Sequence, residues 1–329
     1  MISKCLIYTF FIFPNFIKNE LKSVKKAIIK LTFLSVFWFT FMKLLALISN
    51  VFLTISIYSQ NELILQKINS ENKPWTDTVI NDSEQKFTFA VVTDRTGGHR
   101  EGIWQKGVEK LNLMQPAFVV SVGDLIEGYT ENKKQINQQW NEFNEMVNQL
   151  EMPFFYVAGN HDYTNETMEN EWFERYGTDH YHFLYNDVLF ICLNSEHGHT
   201  ALENPDIGEH QVKFVDELIA KYDSVRWTMV FMHQPLWLRE SGKNWLKIES
   251  LLKNRKHSVF TGHHHKYTLY ERNRNDYFVL STMGGGSELR GKEYGEFDHF
   301  LFITMTKKGP RFANLMLDGI EDKNVLKSE

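Results

Sequence analysis

Short apolar runs, each with Gly, Asp, Asn or His at or near its end, recur between residues 87 and 286, and polar stretches separate them. The runs are rich in β-branched and aromatic residues and occupy 87–94, 116–124, 153–162, 188–195, 226–235, 258–265 and 277–286. Most are apolar throughout rather than alternating, as in strands that are covered on both faces. Because strands that alternate with helices are typical of α/β proteins, the pattern predicts an α/β core.

Two of the intervening stretches have apolar side chains at helical spacing. Residues 134–150 and 209–222 repeat them every three or four positions, which predicts amphipathic helices. No internal repeat, low-complexity tract or Pro/Gly/Ser-rich linker interrupts the range 86–320. We therefore interpret 86–320 as one domain.

Charge and cysteine content argue against a nucleic-acid-binding protein and against a fold held by disulfides. The formal net charge of −5, from 36 basic and 41 acidic residues, contains no long block of like charge, so no nucleic-acid-binding surface is evident. The two cysteines, Cys5 and Cys192, are too far apart to suggest a disulfide framework or a metal pair. Neither feature indicates the oligomeric state or the compartment.

The first 59 residues have a different character. Residues 42–59 follow the outline of a secretory signal peptide, with Lys43 before an apolar stretch and the small residue Ser59 before Gln60. We interpret 42–59 as a signal peptide, 1–41 as an over-long start or a membrane segment, and 60–85 as an N-terminal extension. The expected location is therefore periplasmic, extracellular or on the outer surface. The alternative is association with the membrane through an anchor formed by residues 31–58, which Lys43 interrupts.

Side chains that bind metals or exchange protons follow the apolar runs. They are Asp94, Asp124, Asn160, His161, His233, His263 and His265. Each alone has a structural explanation, such as a turn or a helix cap. Open α/β sheets, however, gather their binding sites at the carboxyl ends of strands, so the recurrence of these residues at equivalent positions predicts a single site.

These residues lie in ordered motifs that resemble those of the calcineurin-like metallophosphoesterase superfamily. The motifs are VVTDRTGG around Asp94, GDLIEG at 123–128, GNHD at 159–162, MHQP at 232–235 and GHHH at 262–265. The resemblance implies an α/β fold in which two mixed β-sheets form a sandwich flanked by helices. It also implies a centre of two metal ions at one edge of the sheets.

The resemblance also implies a ligand for each position. Asp124 would bridge the two ions, Asp94 and His265 would bind the first, and Asn160, His233 and His263 would bind the second. Two ions roughly 3.5–4 Å apart neutralise the charge of a phosphate ester and convert water into hydroxide. Side chains two apart in an extended segment point the same way, so the ring of His264 is expected to point away from the metals, with contact to the substrate as its alternative use.

His161 and Asp162 are the expected catalytic pair. In the family, the histidine of the GNHD-type motif lies near the leaving group, where a ring that titrates near neutral pH can protonate a departing oxygen. Asp162 would hold that ring in the required tautomer. The alternative for Asp162 is the cap of a turn.

The first motif departs from the family. The family commonly has Asp-x-His, whereas this chain has Asp94-Arg95-Thr96, and a hydroxyl is a poor neutral ligand compared with imidazole. Water, Glu127 or His99 are the candidates for the missing ligand, although both side chains are also ordinary surface or supporting residues.

Three further residues are candidates for binding the substrate. Arg95 and Arg100 lie in the loop after the first run and offer planar guanidinium groups that match phosphate oxygens. Asn194 follows the run at 188–195. Solvated loop positions are the equal alternative for both arginines.

The expected function is therefore hydrolysis of phosphate esters, by a phosphomonoesterase or a phosphodiesterase. Two divalent or trivalent ions (Mn, Fe, Zn or Mg) and a metal-bound hydroxide would perform the reaction, as the resemblance implies. The alternative is a non-catalytic metal- or ligand-binding protein that retains the fold, since Thr96 weakens the first metal site.

Overall fold

The computed structural model describes residues 63–78, 86–199, 203–323 and 326–327, together with Trp38 and residues 41–43. The chain divides into two units, Met1–Ser59 and Gln60–Glu329, and the second is described below. Almost all of the predicted signal peptide at 42–59, and of the segment 1–41, lies outside the described residues. In the described part of the chain, every helix is too short or too polar to span a bilayer.

The strands form two mixed sheets. In chain order they are β1 (Ile64–Leu65), β2 (Phe87–Val92), β3 (Val119–Ser121), β4 (Phe154–Phe155), β5 (Tyr181–Tyr185), β6 (Val188–Cys192), β7 (Trp227–Phe231), β8 (His257–Thr261), β9 (Thr268–Arg272), β10 (Asn275–Val279), β11 (His299–Thr306), β12 (Gly309–Met316) and β13 (Ile320–Asp322). One sheet has seven strands in the order β1-β5-β6-β7-β8-β10-β9, and the other has six in the order β13-β12-β11-β2-β3-β4.

Parallel pairing is confined to the middle of the first sheet and one side of the second. Strands β6, β7, β8 and β10 run parallel to one another, and so do β2, β3 and β4. The remaining strands pair antiparallel. The parallel strands correspond to the seven predicted apolar runs, and the polar residues that follow those runs therefore lie at carboxyl ends of strands.

The helices each follow one of the parallel strands in the chain. They are α1 (Ile103–Met114), α2 (Lys133–Val147), α3 (Glu166–Tyr176), α4 (Glu209–Lys221) and α5 (Lys243–Leu252). The side chain of Asn132 accepts hydrogen bonds from two backbone N–H groups at the start of α2, and that of Asn165 accepts one at the start of α3. Such caps satisfy donors that have no partner within the helix. Both helices predicted from apolar spacing are present, in α2 and α4.

The core has three apolar layers. Between the sheets, the rings of Phe89 and Phe190 lie 5.3 Å apart at centre, and both are fully buried. Helices α1, α2 and α3 cover the outer face of the six-stranded sheet, and α4 and α5 cover that of the seven-stranded sheet. Burying one such aromatic ring contributes about 1.5–3 kcal/mol. The predicted sandwich of two mixed sheets flanked by helices is confirmed.

Residues 63–78, from the predicted N-terminal extension, pack on this sandwich. Strand β1 pairs with β5 at the edge of the seven-stranded sheet. The ring of Trp75 lies 5.5 Å from that of Tyr181 at centre. This part of the extension therefore belongs structurally to the sheet.

Candidate metal centre

The carboxyl ends of parallel strands from both sheets bring the predicted residues together. Asp94 follows β2, Asp124 follows β3, Asn160 and His161 follow β4, His233 follows β7, and His263 and His265 follow β8. Asp94, Asp124, Asn160 and His233 are buried, whereas the rings of His263 and His265 are partly accessible. The centre therefore lies at an edge where substrate can reach it.

The side chains form two groups that share Asp124. Ligand atoms of Asp94, Asp124 and His265 lie within 4.8 Å of one another, and so do those of Asp124, His233 and His263. A carboxylate offers two oxygen atoms and can serve both groups at once. The geometry therefore provides two adjacent places for cations around one shared aspartate.

Asn160 completes the second group. Its Oδ1 lies 2.9 Å from Nε2 of His233 and 2.8 Å from Nδ1 of His263, and these two nitrogens are 3.3 Å apart. Nδ1 of His233 lies 2.8 Å from the Val122 carbonyl, which can only accept, so Nδ1 carries the proton and Nε2 presents a lone pair in the neutral ring. The amide oxygen of Asn160 and one nitrogen of each ring converge on one point, so these residues fit a metal ion.

A backbone carbonyl orients the histidine of the first group in the same way. Nδ1 of His265 lies 2.7 Å from the Gly286 carbonyl, which leaves Nε2 facing Oδ1 of Asp94 at 3.3 Å. Metal-binding histidines in proteins are commonly held through the second ring nitrogen like this. The residues of the first group therefore also fit a metal ion.

The electrostatics of the two groups favour positive charge. Burial lowers the pKa of His233, but the charge of Asp124 outweighs burial and raises it to about 10. Burial likewise opposes protonation of His265, but its bond to Asp94 raises the pKa to about 9. The same pair lowers the pKa of Asp94 below its usual range, although burial alone would raise it. A field that holds protons on buried imidazoles will also hold metal cations in their place.

Glycines and left-handed residues allow the loops to approach. A Cβ on Gly262 would overlap the carboxylate of Asp94, and one on Gly159 would overlap that of Asp124. Asp124, His263 and His265 have φ values of 56°, 72° and 51°, which non-glycine residues seldom adopt. Backbone strain of this kind concentrates at functional sites, where surrounding contacts maintain it.

The three consecutive histidines lie in a turn, not in an extended segment. Strand β8 ends at Thr261, and the turn brings His263 and His265 to the two groups while leaving His264 exposed. The expected separation of the outer rings from the middle one is therefore found. The left-handed turn causes this separation. We had predicted the separation from an extended conformation, and that premise was wrong.

Residues 87–267 match the family described as calcineurin-like phosphoesterase, and this range is more than half of the chain. The chain belongs to the calcineurin-like phosphoesterase family. The predictions of the family, of its fold and of a metal-dependent phosphoesterase are thereby confirmed at the level of the family.

Two curated relatives and one solved structure illustrate the likeness. The serine/threonine-protein phosphatase CPPED1 of Rattus norvegicus is 26% identical over 57% of this chain and 66% of its own length. The Homo sapiens protein of that name is 28% identical over 54% of this chain and 62% of its own length. The match thus spans slightly less than two thirds of these relatives. A dimetal phosphatase from Danio rerio has a TM-score of 0.55 at 13% identity, over 70% of this chain and 95% of its own, which shows a common fold.

In this phosphoesterase, His161 lies beside the first group. Its Nδ1 is 2.7 Å from the Glu127 carbonyl, and its backbone N–H donates to Oδ1 of Asp124 at 2.9 Å. The point where Gly97 would carry a Cβ lies 3.4 Å from Nε2 of His161 and 3.3 Å from Nε2 of His265. Both nitrogens therefore border one gap, and Nε2 of His161 is available to exchange a proton there.

Asp162 does not orient His161, contrary to our prediction. Its carboxylate is fully buried and accepts hydrogen bonds from the backbone N–H groups of Gly159, Leu125 and Ile126 at 2.9, 2.8 and 3.1 Å. These bonds tie the loop after β3 to the loop after β4. The ring of His161 is oriented by the Glu127 carbonyl instead, so the turn-capping alternative describes Asp162 better.

Thr96 and the two candidates for the missing ligand of the first metal site, Glu127 and His99, make hydrogen bonds within the loops. The Thr96 hydroxyl is buried, donates to the Ile126 carbonyl at 3.0 Å and accepts from the Gly97 N–H. The carboxylate of Glu127 accepts from the backbone N–H of His99 at 2.9 Å and lies 3.2 Å from its ring Nδ1. Thr96 therefore links two loops, and Glu127 and His99 pair with each other.

Both predicted arginines are also turned away from the cleft. The guanidinium of Arg95 donates to the Leu125 carbonyl at 3.1 Å and to Glu142 of α2 at 2.5 Å. Arg100 donates to both carboxylate oxygens of Asp298, at 2.7 and 2.5 Å, and to the Gly285 carbonyl. In this structure both side chains hold the loops in place, whereas we had predicted that they bind substrate.

Asn194 is fully buried and bonded to its own loop and to the segment before β5. Its amide Nδ2 donates to Asp179 at 2.8 Å, and its Oδ1 accepts from the Glu196 N–H at 2.7 Å. It therefore supports the loop after β6 and does not reach the substrate. Among the predicted substrate-binding residues, His264 remains exposed beside His263, with the two ring centres 5.6 Å apart.

Sequence reasoning missed two residues at the cleft. Tyr129 is 42% exposed, its hydroxyl accepts from Nδ2 of Asn160 at 2.8 Å, and its ring meets that of His161. Arg239 is exposed, and a guanidinium nitrogen lies 3.2 Å from Nε2 of His263. Their positions directly after GDLIEG and a few residues after MHQP were the available signals.

Proposed function

We propose that this chain hydrolyses phosphate monoesters at the centre built on Asp124. The observation that carries the proposal is the sharing of Asp124 by two ligand groups, each of which contains imidazole, with Nε2 of His233 3.1 Å from Oδ2 of Asp124. The relatives from Rattus norvegicus and Homo sapiens are named serine/threonine-protein phosphatases, which supports monoesters as the substrate class. Phosphodiesters are the competing outcome of the test.

The metal ions would be held by six side chains. Asp94, Asp124 and His265 form the first set, and Asp124, Asn160, His233 and His263 form the second. A pair of metal ions supplies charge neutralisation on the phosphoryl oxygens and lowers the pKa of a water molecule. The protein's own contribution is to fix these ligands through the carbonyls of Val122 and Gly286 and to keep the shared carboxylate ionised.

His161 would deliver a proton to the departing oxygen. Because the Glu127 carbonyl occupies Nδ1, the exchangeable proton sits on Nε2, which faces the gap beside Gly97. Protonating an alkoxide as it leaves removes the build-up of negative charge on oxygen and commonly accelerates such steps by about 10²–10⁴-fold. A protein that only bound metal would have no need for an imidazole at this position.

Arg239 would bind the phosphoryl oxygens, the function that we had predicted for Arg95 and Arg100. Its guanidinium is exposed at the second ligand group, where it borders the ring of His263. Arginine matches two phosphate oxygens with two parallel N–H groups. It therefore adds orientation as well as charge.

The two metal sites would differ in affinity. The second set has four protein ligands, whereas the first has three, because the buried Thr96 hydroxyl bonds to the Ile126 carbonyl and the Gly97 N–H. Even a change among residues that support ligands costs about 10–100-fold in affinity. One ion is thus expected to exchange readily on dialysis and the other to remain bound.

The experiment combines metal analysis with hydrolysis. Chelator-treated protein is titrated with Mn²⁺, Fe²⁺, Zn²⁺ or Mg²⁺ while bound metal and hydrolysis of a panel of phosphomonoesters, phosphopeptides and phosphodiesters are measured. We expect one tight ion, one weaker ion, and monoester hydrolysis that follows the weaker one. Two bound ions without hydrolysis of any substrate would support a non-catalytic binding protein. A preference for diesters would show that phosphodiesters, and not monoesters, are the substrate class.

We propose further that the chain is exported. Support comes from the basic start, apolar stretch and small residue at 42–59. The test is N-terminal mass analysis of the protein from its native host after cell fractionation. An N-terminus near Gln60 outside the cytoplasm is expected, and an intact membrane-embedded chain starting at Met1 would contradict it.

A further inference from the structure

Three histidines and one aspartate meet at the same end of the seven-stranded sheet, apart from the centre described above. Asp179 and His180 immediately precede β5, His197 follows β6, and His210 lies in the first turn of α4. The rings of His180 and His210 are 5.0 Å apart at centre, and those of His197 and His210 are 5.3 Å apart. Three segments that are distant in sequence therefore present imidazoles to one place.

The aspartate of this cluster is fixed. Its side chain is only 9% exposed, its Oδ1 lies 2.7 Å from Nδ1 of His180, and its Oδ2 accepts from Nδ2 of Asn194 at 2.8 Å. Ligand atoms of Asp179, His180 and His210 lie within 4.8 Å of one another. A carboxylate held beside a histidine ring, with a second ring in reach, is a frequent arrangement around protein-bound zinc.

Gly208 allows the rings of His197 and His210 to come close. A Cβ at this position would lie 2.7 Å from Nδ1 of His210 and 3.1 Å from Cγ of His197. Any other residue would therefore push at least one ring away. The absence of a side chain at position 208 serves the packing of the two imidazoles.

The charges of the cluster favour the ligand form of its histidines. Neutral imidazole is the form that binds metals. Several protonated rings at these distances would repel one another, whereas a shared divalent cation would attract each lone pair.

We propose that Asp179, His180, His210 and His197 form an additional divalent metal site of the zinc class. Imidazole nitrogen with one carboxylate is a ligand set that suits Zn²⁺ and related borderline ions. The site shares no ligand with the centre built on Asp124. The metal ties the segment between β6 and α4 to the edge of the sheet.

A hydrogen-bonded path links this segment to the catalytic edge. Asn194, which donates to Asp179, also accepts from the Glu196 N–H at 2.7 Å. The Glu196 carboxylate in turn accepts from the side chain of Gln234 at 2.9 Å, next to His233. An ion at Asp179 therefore stabilises the loop that packs behind a ligand of the catalytic centre.

The test counts zinc in matched variants of the full chain. Chelator-treated wild type, His210→Ala, His197→Ala and Lys213→Ala are equilibrated with Zn²⁺, and the bound metal is measured by atomic emission. Lys213 is an exposed residue on α4 and serves as the control. We expect one zinc equivalent fewer in His210→Ala than in wild type, a weaker last equivalent in His197→Ala, and no change in Lys213→Ala.

A spectroscopic measurement accompanies the count. Co²⁺ added as the last equivalent should give visible absorption bands of a four-coordinate site in wild type and not in His210→Ala, while the two proteins have the same circular dichroism. Equal zinc content and equal Co²⁺ spectra in wild type and both histidine variants would overturn the proposal. Because the result is a difference between variants, it does not depend on how many ions the Asp124 centre holds.

Discussion

The ring of Tyr129 meets the ring of His161 edge to face, with centres 4.6 Å apart and planes at 85°. The Tyr129 hydroxyl also accepts a hydrogen bond from the Asn160 side chain. One exposed tyrosine thus contacts both the proposed proton donor and a proposed metal ligand.

Removing the Tyr129 hydroxyl should weaken the binding of metal at the second site. In Tyr129→Phe the Asn160 amide loses its partner and its Oδ1 is no longer held toward His233. We expect affinity for the tighter ion to fall by about 10-fold, within the range for residues that support ligands. Metal titration of the variant measures this, with Tyr294→Phe, an exposed tyrosine in a short turn after β10, as the control. Unchanged affinity for the metal ion would show that the Tyr129 hydroxyl does not support the second metal site.

His161→Ala should lose turnover and keep metal. The ring contacts a carbonyl and faces the gap beside Gly97, but it belongs to neither ligand group. Turnover should fall by about 10²–10⁴-fold for substrates with poor leaving groups and much less for good ones. His99→Ala, a change on the facing loop, is the control. Loss of metal with an unchanged rate would show that the ring is a ligand.

The three consecutive histidines should differ in how much bound metal is lost when each is replaced by alanine. His263→Ala and His265→Ala each remove a donor from one group, whereas His264 is exposed. Bound metal should fall by one equivalent in each of the first two variants and stay constant in His264→Ala. Atomic emission after dialysis decides the matter, and equal losses in all three would mean that the turn is reorganised when metal binds.

Arg239→Ala should raise KM. A charged hydrogen-bond donor to phosphate contributes about 1.5–3 kcal/mol, which corresponds to a KM increase of roughly 10-fold or more. Steady-state kinetics with a phosphomonoester test this against Arg274→Ala, an exposed arginine in the β9–β10 turn. Arg95→Ala should instead lower the free energy of unfolding, because its partners are Leu125 and Glu142. If KM changed in Arg95→Ala and not in Arg239→Ala, Arg95 and not Arg239 would be the residue that binds the phosphoryl oxygens.

Stability should fall in acid because His299 is buried in the neutral form. Its Nε2 accepts from the Ser281 N–H at 3.0 Å and its Nδ1 faces Oδ1 of Asn314 at 2.8 Å, so a second ring proton would oppose an N–H group. Burial lowers its pKa to about 3 from a usual 6.5. The unfolded chain takes up this proton below pH 6.5 and the folded chain does not until about pH 3.

The contribution of His299 is therefore complete above pH 6.5 and declines as the pH falls, by about 1.4 kcal/mol per pH unit. Urea unfolding of wild type and His299→Gln between pH 7.5 and 5 measures it. Wild type should lose more stability than the variant over this range. Parallel pH dependences would show that His299 is protonated in the folded protein.

Part of this fold was readable because parallel strands have a distinctive sequence. Continuous apolar runs that end in polar residues predicted β2, β3, β4, β6, β7, β8 and β10. Strand β12 has mostly half-buried residues, and β9 ends in Glu271 and Arg272, so neither has a continuous run. Helix α3 buries Met168, Trp172 and Tyr176 at helical spacing, a signal that was present and not used.

The site was predictable in its positions and not in its orientations. Strand ends placed Asp94, Asp124 and the histidines without knowledge of any contact. The direction of Arg95 depends on Glu142, 47 residues later, and the role of Asp162 depends on N–H groups 36 and 37 residues earlier. Such partners are set by the packing of loops, which local sequence does not specify.

The shared carboxylate of Asp124 makes the two halves of the centre thermodynamically dependent on each other. An ion in one half would withdraw negative charge from Asp124 and fix its rotamer, and both effects would change the affinity of the other half. Coupling of this kind is reciprocal, so whatever the first ion does to binding of the second, the second does to binding of the first by the same factor. Occupancy of the centre should therefore follow a cooperative or anticooperative isotherm and not the sum of two independent ones.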